Sequence, residues 1–274
     1  MMANGFEQFM ANHADVIHVS VDSVLGSTPR DTDAEMFVAK DAFFGTIGGG
    51  QLELRAIERA RRMIATQERQ VSMDMPLGPG IGQCCGGHVT LRLEHLDDKA
   101  CEHILSDRAA ALAARPVVHI CGAGHVGRAL ASFLALLPVR TVLIDSRQDE
   151  LRLCRAPVER CLTALPEAEI RNAPAGAAFV VMTHDHALDF LLTSEALARG
   201  DAAYVGLIGS QTKRTRFERF HAQQSPRIGT SRLVCPIGAT GSTDKRPEVI
   251  AAFVAAEVMT ALTRAKAHSY AYAG

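Results

Sequence analysis

Val117-Val-His-Ile-Cys-Gly-Ala-Gly-His-Val-Gly127 is an apolar run followed by three spaced glycines. The run predicts a buried strand, and the glycines predict a turn that opens a helix over 126–137. A second apolar run, Arg140–Asp145, follows and ends in an acid. This order of strand, glycine turn, helix and strand is typical of a dinucleotide-binding βαβ unit.

Each glycine has its own predicted role in such a unit. Gly122 permits a tight turn, Gly124 lets the backbone approach a pyrophosphate, and Gly127 lets the helix pack closely on the strand. Asp145 stands about 20 residues beyond the glycines, where an acid can accept a ribose 2′-hydroxyl. These are candidate cofactor-binding residues, and one interpretation of the chain is an NAD(P)-dependent oxidoreductase.

The composition argues against several other classes of protein. The 274 residues, 47% hydrophobic and 22% charged, suit one or two compact folded domains. A net charge of −1 favours neither nucleic acid nor an anionic membrane, and no apolar stretch approaches the roughly 20 residues that span a bilayer. No secretory signal is evident, and the seven cysteines lack disulfide-like spacing, so we expect a protein of the reducing cytoplasm.

The first hundred residues have the pattern of strands with one wet face. Apolar and polar residues alternate over 17–21, 71–75 and 89–93, which predicts an antiparallel or mixed sheet. Helical spacing over 52–64 predicts a helix between the first two of these strands. We therefore expect a small α+β domain over residues 1–105.

Strands and helices alternate in the second half. Residues 97–115 are alanine-rich and helical in pattern, and Pro116 breaks the pattern, so we expect a helical linker over 106–116. The alternation beyond it predicts a parallel sheet with right-handed crossovers in a Rossmann-like domain over 117–274. The predicted fold class is α/β, with this C-terminal Rossmann-like parallel-sheet domain and the smaller N-terminal α+β domain. The predicted strands of the Rossmann-like domain are 117–121, 140–145, 178–183 and 203–208, and its predicted helices are 126–137, 187–199, 211–223 and 247–264.

Three consecutive glycines, Gly48, Gly49 and Gly50, link an apolar strand to a helix in Phe44-Gly-Thr-Ile-Gly-Gly-Gly-Gln-Leu-Glu53. Their backbone N–H groups can approach an anion, and the helix that follows presents its positive end there. The alternative is a tight turn with a structural role only. One helix end is worth only about 0.3–1 kcal/mol, so tight anion binding would need further contacts.

Adjacent cysteines, Cys84 and Cys85, stand among glycines in Leu77-Gly-Pro-Gly-Ile-Gly-Gln-Cys-Cys-Gly-Gly-His88. Neighbouring side chains diverge and the sequence offers no Cys-x-x-Cys partner, so a structural zinc site is excluded. Accessible thiolates in a flexible loop instead suit a soft metal or sulfur chemistry. The alternative is a pair of small hydrophobic residues in a turn.

Three further segments carry polar groups at turns. Gly26-Ser-Thr-Pro-Arg30 offers hydroxyl and guanidinium donors to an anion, or forms a plain turn. Met182-Thr-His-Asp-His-Ala-Leu-Asp189 follows a buried strand at its carboxyl end, where doubly wound sheets bind ligands. His184 in this segment is the candidate proton-transfer group of an oxidoreductase, whereas its two histidines alone are insufficient for a metal site. Gly206-Leu-Ile-Gly-Ser-Gln-Thr-Lys-Arg214 joins a strand to a basic helix and can form a second phosphate cradle.

Taken in order, these motifs resemble those of the xanthine dehydrogenase accessory protein family (XdhC/CoxI type), over nearly the whole chain. The resemblance rests on residues 26–30, 45–53, 82–87, 122–127, 183–189 and 206–210, and on Lys245-Arg-Pro-Glu-Val-Ile-Ala251. Each segment alone is weak evidence for this family, whereas all of the segments in this order are specific to it.

The resemblance implies a maturation factor rather than an enzyme. Such a factor would bind the molybdenum cofactor (molybdopterin), protect it during sulfuration by a cysteine desulfurase, and deliver it to apo-xanthine dehydrogenase or a related molybdoenzyme. A cytoplasmic homodimer is expected. The NAD(P)-dependent oxidoreductase and a pure adaptor that binds no cofactor remain the alternatives.

The resemblance also implies roles for particular residues. Gly48, Gly49 and Gly50 would hold the phosphate of molybdopterin. Cys84 or Cys85 would lie near molybdenum or its terminal sulfur, and the remaining candidates would add polar contacts to the cofactor. These remaining candidates are Arg30, Gln51 and Gln83.

Overall fold

A computed structural model describes residues 5–26, 34–76, 87–239 and 242–271, with the side chains of the last helix described as far as residue 264. The chain divides into two compact units, Met1–Ala110 and Ala111–Gly274. Across the described ranges, no helix combines the length and the apolar composition needed to cross a membrane.

Among its described residues, the first unit has a five-stranded antiparallel sheet in the order β3-β2-β1-β5-β4. Its elements are α1 (Gly5–Asn12), β1 (Ile17–Leu25), β2 (Glu35–Val38), β3 (Phe43–Gly45), α2 (Gly50–Thr66), β4 (Gln70–Pro76), β5 (His88–His95) and most of α3 (Asp98–Ala113), which continues past the boundary between the units. The predicted alternation is confirmed in β1, where Ile17, Val19 and Val21 are buried. Helix α2 packs Leu52 and Ala56 into the same apolar cluster, which closes the core of this unit.

The described part of the second unit has a six-stranded parallel sheet in the order β11-β10-β9-β6-β7-β8. Strands β6, β7 and β8 run outward to one edge and β9, β10 and β11 to the other, so the strand order reverses between β6 and β9. Ligands of doubly wound sheets bind outside the carboxyl ends of the strands at this point. The elements of this unit are β6 (Val117–Cys121), α4 (His125–Leu134), β7 (Arg140–Asp145), α5 (Gln148–Arg152), β8 (Glu159–Leu162), α6 (Pro166–Asn172), β9 (Ala178–Val181), α7 (His186–Ala198), β10 (Tyr204–Leu207), α8 (Gln211–Gln224), β11 (Leu233–Val234) and α9 (Pro247–Ala271).

The two faces of the parallel sheet carry separate apolar clusters. Helices α4 and α9 pack on one face, and helices α6, α7 and α8 pack on the other. All residues of β6, β9 and β10 are buried, as expected for parallel strands covered on both sides. The predicted α/β fold class, with its Rossmann-like sheet, is therefore confirmed.

Four short elements of the second unit carry no prediction from the sequence: α5, β8, α6 and β11. Strand β8 is an edge strand in which Glu159, Arg160 and Leu162 are exposed. An exposed edge strand needs no apolar run, so its sequence resembles that of a loop.

Candidate functional site

The glycine turn after β6 is held by contacts that exclude side chains at two positions. Gly122 has φ +120°, and a Cβ there would lie 2.3 Å from the Met182 carbonyl oxygen. A Cβ on Gly127 would lie 1.9 Å from the Gly122 carbonyl oxygen. Both glycines are required because the turn, the end of β9 and the first turn of α4 pack backbone against backbone.

Gly124 differs from its two neighbours. It forms the N-cap of α4 with φ −66°, and a Cβ there would meet nothing within 4 Å. Packing within the protein therefore does not require a glycine at this position. The open space before the α4 N-terminus is what a ligand would need to approach the backbone, as the sequence predicts for Gly124.

Asp145 lies at the carboxyl end of β7 and is 7% exposed. Its carboxylate accepts hydrogen bonds from the Ala123 N–H (2.7 Å), the Arg147 N–H (2.9 Å) and, in forked geometry, Arg147 Nε (3.0 Å) and Nη2 (2.9 Å). Burial alone would raise the pKa of Asp145, but the Arg147 and Ala123 hydrogen bonds outweigh it and hold the pKa below its ordinary value. A carboxylate has about four acceptor positions, so a ribose hydroxyl would have to displace one of these donors.

A small cleft of ≈ 60 Å³ brings three of the predicted residues together. Gly122, Asp145 and His184 line it, beside Ser146 and Thr183. His184 is exposed at its rim. We call this the Asp145 cleft, and it lies where the sheet reverses its strand order.

A larger cleft of ≈ 470 Å³ lies on the other side of Thr183, along the carboxyl ends of β9 and β10. We call it the Lys213 cleft. Thr183 lines both clefts, so the two adjoin at the carboxyl edge of the sheet. The residues that line the Lys213 cleft are Thr183, His186, Phe190, Ile208, Gly209, Ser210, Thr212, Lys213 and Arg216.

An ion pair between Lys213, which lines this cleft, and a buried carboxylate supports the cleft wall. Asp189 of α7 is fully buried, and its carboxylate accepts from Lys213 Nζ at 2.5 Å. The same carboxylate accepts from the Thr183 N–H and hydroxyl, each at 2.8 Å. Asp189 thus holds two of the cleft-lining residues in place. Sequence reasoning singled out both segments but missed the pair, because Asp189 and Lys213 meet only in the folded sheet.

In the first unit, the three-glycine loop already binds a carboxylate of the chain itself. Glu53 of α2 accepts from the Ile47 N–H (3.1 Å) and the Gly49 N–H (2.9 Å), and Thr46 donates its hydroxyl to it. The bond to the Gly49 N–H resembles a capping box, since Gly49 is the N-cap of α2. A phosphate that used these N–H groups would first have to displace Glu53.

The remaining predicted site residues divide into two groups. Gly50 and Gln51 are exposed in the first turn of α2. Arg30, Gln83, Cys84 and Cys85 lie outside the described residues. Within the described ranges, no group of three or more His, Cys, Asp or Glu side chains is arranged to hold a metal ion. The roles predicted for all of these residues stay predictions.

Comparison with known proteins identifies the family. The model of the XdhC Rossmann domain matches residues 118–258, which is more than half of the chain. The chain belongs to the XdhC family. A second model, that of the XdhC and CoxI family, matches residues 10–74. The family matches thus fall in both units, and the resemblance inferred from the motifs is confirmed.

This XdhC-family chain is also similar to one curated protein in sequence and to one solved structure in fold. The uncharacterized protein YqeB of Escherichia coli (strain K12) is 29% identical over 251 residues, which cover 85% of this chain and 41% of YqeB. The chain therefore spans less than half the length of that relative. A crystal structure from Bacillus halodurans, described as a xanthine dehydrogenase, matches with a TM-score of 0.79 over 94% of each chain, at 18% identity. At that identity the likeness shows the fold alone.

Proposed function

We propose that this XdhC-family protein binds the molybdenum cofactor (molybdopterin), protects it during sulfuration and delivers it to apo-xanthine dehydrogenase. Membership of the family suggests a role in xanthine dehydrogenase maturation. The observation that carries the proposal is the pair of adjoining clefts at the carboxyl edge of the sheet, next to the open position at Gly124. We propose a cytoplasmic maturation factor, not an enzyme, that works as a homodimer with a cysteine desulfurase partner.

The described residues fit the organic part of this cofactor. Molybdopterin carries a phosphate monoester, a planar pterin and a dithiolene that binds the metal. Hydroxyl and cationic side chains and an aromatic wall line the Lys213 cleft, which suits a phosphate and a planar ring. When bound, the cofactor would supply the molybdenum centre that the target enzyme needs, and this chain's residues would bind it and shield it from solvent.

Roles for individual residues follow from the same proposal. Gly122, Gly124 and Gly127 would form the turn against which the cofactor rests, with His184 at the rim of the adjoining cleft. Cys84 and Cys85 would lie near molybdenum or its terminal sulfur. Polar contacts would come from Arg30, Gln51 and Gln83.

The test is cofactor analysis of the protein expressed in cells that make molybdopterin. Anaerobically purified wild-type protein should contain bound pterin and molybdenum, and it should activate apo-xanthine dehydrogenase. Cys84→Ala and Cys85→Ala should reduce molybdenum loading while the protein stays folded. A wild-type protein that carries no pterin and does not activate the target would refute the proposal. Unchanged loading and activation by both variants would remove the cysteine role alone.

A second candidate is an NAD(P)-dependent oxidoreductase, which the Rossmann strand order and the open Gly124 position favour. The occupied carboxylate of Asp145 disfavours it, because the usual ribose acceptor is already bonded to Arg147. A fold does not by itself establish hydride chemistry. Titration with NAD(H) and NADP(H) separates the two, since tight binding with turnover would support the oxidoreductase.

A further inference from the structure

Lys213 is held in a defined position by two features of the fold. A Cβ on Gly209 would lie 2.5 Å from Lys213 Cδ, so the glycine leaves room for the lysine stem to lie across the β10–α8 turn. Asp189 accepts one hydrogen bond from Nζ. An ammonium group has three donors, and Asp189 is its acceptor among the described residues. Two donors thus remain for a ligand in the cleft, which Lys213 lines.

The charge around Lys213 favours an anion. Arg216 lies three residues further along α8, is exposed and lines the same cleft. Of the described residues that line it, none is acidic. Lys213 and Asp189, which lies behind the wall, together carry no net charge, so Arg216 gives the cleft its net positive charge and Lys213 contributes its remaining N–H donors. Ser210 and Thr212 add hydroxyl groups to the lining, which are further donors for phosphate oxygens.

The other wall of the cleft is apolar and continues beyond it. Phe190 and Ile208 line the cleft, and Phe190 also borders an apolar groove with Leu191 and Phe220. The rings of Phe190 and Phe220 have centroids 5.5 Å apart, which makes a continuous aromatic surface. A planar ring can stack on such a surface next to an anionic group held by Lys213.

We propose that the Lys213 cleft binds the phosphate monoester of a ring-bearing ligand, with Lys213 and Arg216 on the phosphate and Phe190 against the ring. The inference rests on the proposed function, since molybdopterin is a compound of this class. It moves the phosphate from the three-glycine loop to the β10–α8 turn. In the three-glycine loop, Glu53 already accepts from the N–H donors. At the β10–α8 turn, the cationic side chains retain donors for a ligand.

The first test compares a stable oxidised pterin derived from molybdopterin with the same compound after phosphatase treatment. Full-length wild-type protein should bind the phosphorylated form about 10-fold or more tightly than the dephosphorylated form, as measured by calorimetry. Arg216→Ala should reduce this preference several-fold, and Lys213→Met combined with Asp189→Asn should abolish it. The double variant avoids leaving a buried carboxylate unpaired, which would endanger folding.

The matched control is Arg219→Ala, which removes the same charge from the same helix at an exposed residue that does not line the cleft. It should keep the wild-type preference. A preference that survives in both cleft variants, or a wild-type protein that binds the two pterins equally, would overturn the inference and leave the proposed function standing.

The last test separates failure of the inference from failure of the proposed function. If the wild-type protein binds neither pterin and, as purified, also carries no pterin and does not activate apo-xanthine dehydrogenase, the proposed function fails. An aromatic phosphate monoester, 4-nitrophenyl phosphate, then tests the cleft by itself, with inorganic phosphate as the ring-free reference. Binding that is lost in Arg216→Ala and kept in Arg219→Ala supports the inference. Absence of binding to the wild-type protein overturns it.

Discussion

Gly124→Ala and Gly127→Ala add the same methyl group to one turn, and the structure predicts different outcomes. At Gly127 the new Cβ would lie 1.9 Å from the Gly122 carbonyl oxygen. Relief of this overlap requires α4 to move by about 1 Å against β6, and overpacking of this kind costs about 1–3 kcal/mol. Because the clash is with backbone atoms, we take an overpacking cost of about 3 kcal/mol in the free energy of unfolding. Replacing glycine by alanine in a helix offsets about 1 kcal/mol of this cost.

The net loss of about 2 kcal/mol in Gly127→Ala should lower the melting temperature of the second unit by about 4–8 °C. At Gly124 the φ of −66° suits alanine and the space is open. Alanine is a weaker N-cap than glycine, which destabilises the protein, but it also lowers the entropy of the unfolded chain, which stabilises it. These two effects nearly cancel, so the free energy of unfolding should change by less than about 1 kcal/mol. The methyl group would, however, stand where a ligand approaches, so pterin loading should fall.

Thermal and urea unfolding of the full chain, followed by circular dichroism, measure the stabilities of the two variants, and pterin analysis measures the loading. Wild-type stability in Gly127→Ala would refute the packing described for this turn. A loss of stability in Gly124→Ala as large as that in Gly127→Ala would show that the space before α4 is not open.

Three further predictions concern the buried and bonded carboxylates. Asp145→Asn should destabilise the protein by about 1–3 kcal/mol at pH 7. Because the folded-state pKa of Asp145 lies below its ordinary value, this difference is fully present above about pH 4 and should shrink as the pH falls further; a difference in urea stability that grows towards acid pH would contradict it. Lys213→Met alone should lower the free energy of unfolding by about 3–5 kcal/mol, because it leaves the Asp189 carboxylate buried and unpaired. Adding Asp189→Asn should recover much of that loss. Equal stabilities of the single and double variants in urea would contradict a stabilising pair. Glu53→Ala should destabilise the first unit by about 0.5–1.5 kcal/mol. It should also raise the affinity for inorganic phosphate, because the Ile47 and Gly49 N–H groups lose their acceptor. Unchanged phosphate affinity in calorimetry would indicate that the loop is purely structural.

The local patterns predicted most of the architecture correctly. Strands β6 and β7 have the predicted bounds, and α8 begins at the predicted residue. These elements are covered by packing on one or both sides, so burial leaves a periodic apolar pattern in the sequence. Strand β8, at the sheet edge, has no such pattern and carried no prediction.

The candidate site was predicted less completely. The glycine turn was correctly placed after β6, but its three glycines proved to be of two kinds, two required by packing and one open. Glu53 was not expected to occupy the N–H groups of the three-glycine loop. Both findings depend on which atoms fill the space around a backbone group, and spacing along the chain does not report that.

The sequence by itself determined the two-part organisation, the Rossmann-like order of elements and the family. These follow from periodicity, glycine spacing and the order of the motifs, all of which are local along the chain. Only the tertiary structure decided that Asp145 accepts a hydrogen bond from the Ala123 N–H, that Asp189 pairs with Lys213, and that the two clefts adjoin at Thr183. The physical reason is that the parallel sheet brings the carboxyl ends of β6, β7, β9 and β10 to one edge. Residues from distant segments meet there, and their charges and hydrogen bonds are set by burial and distance.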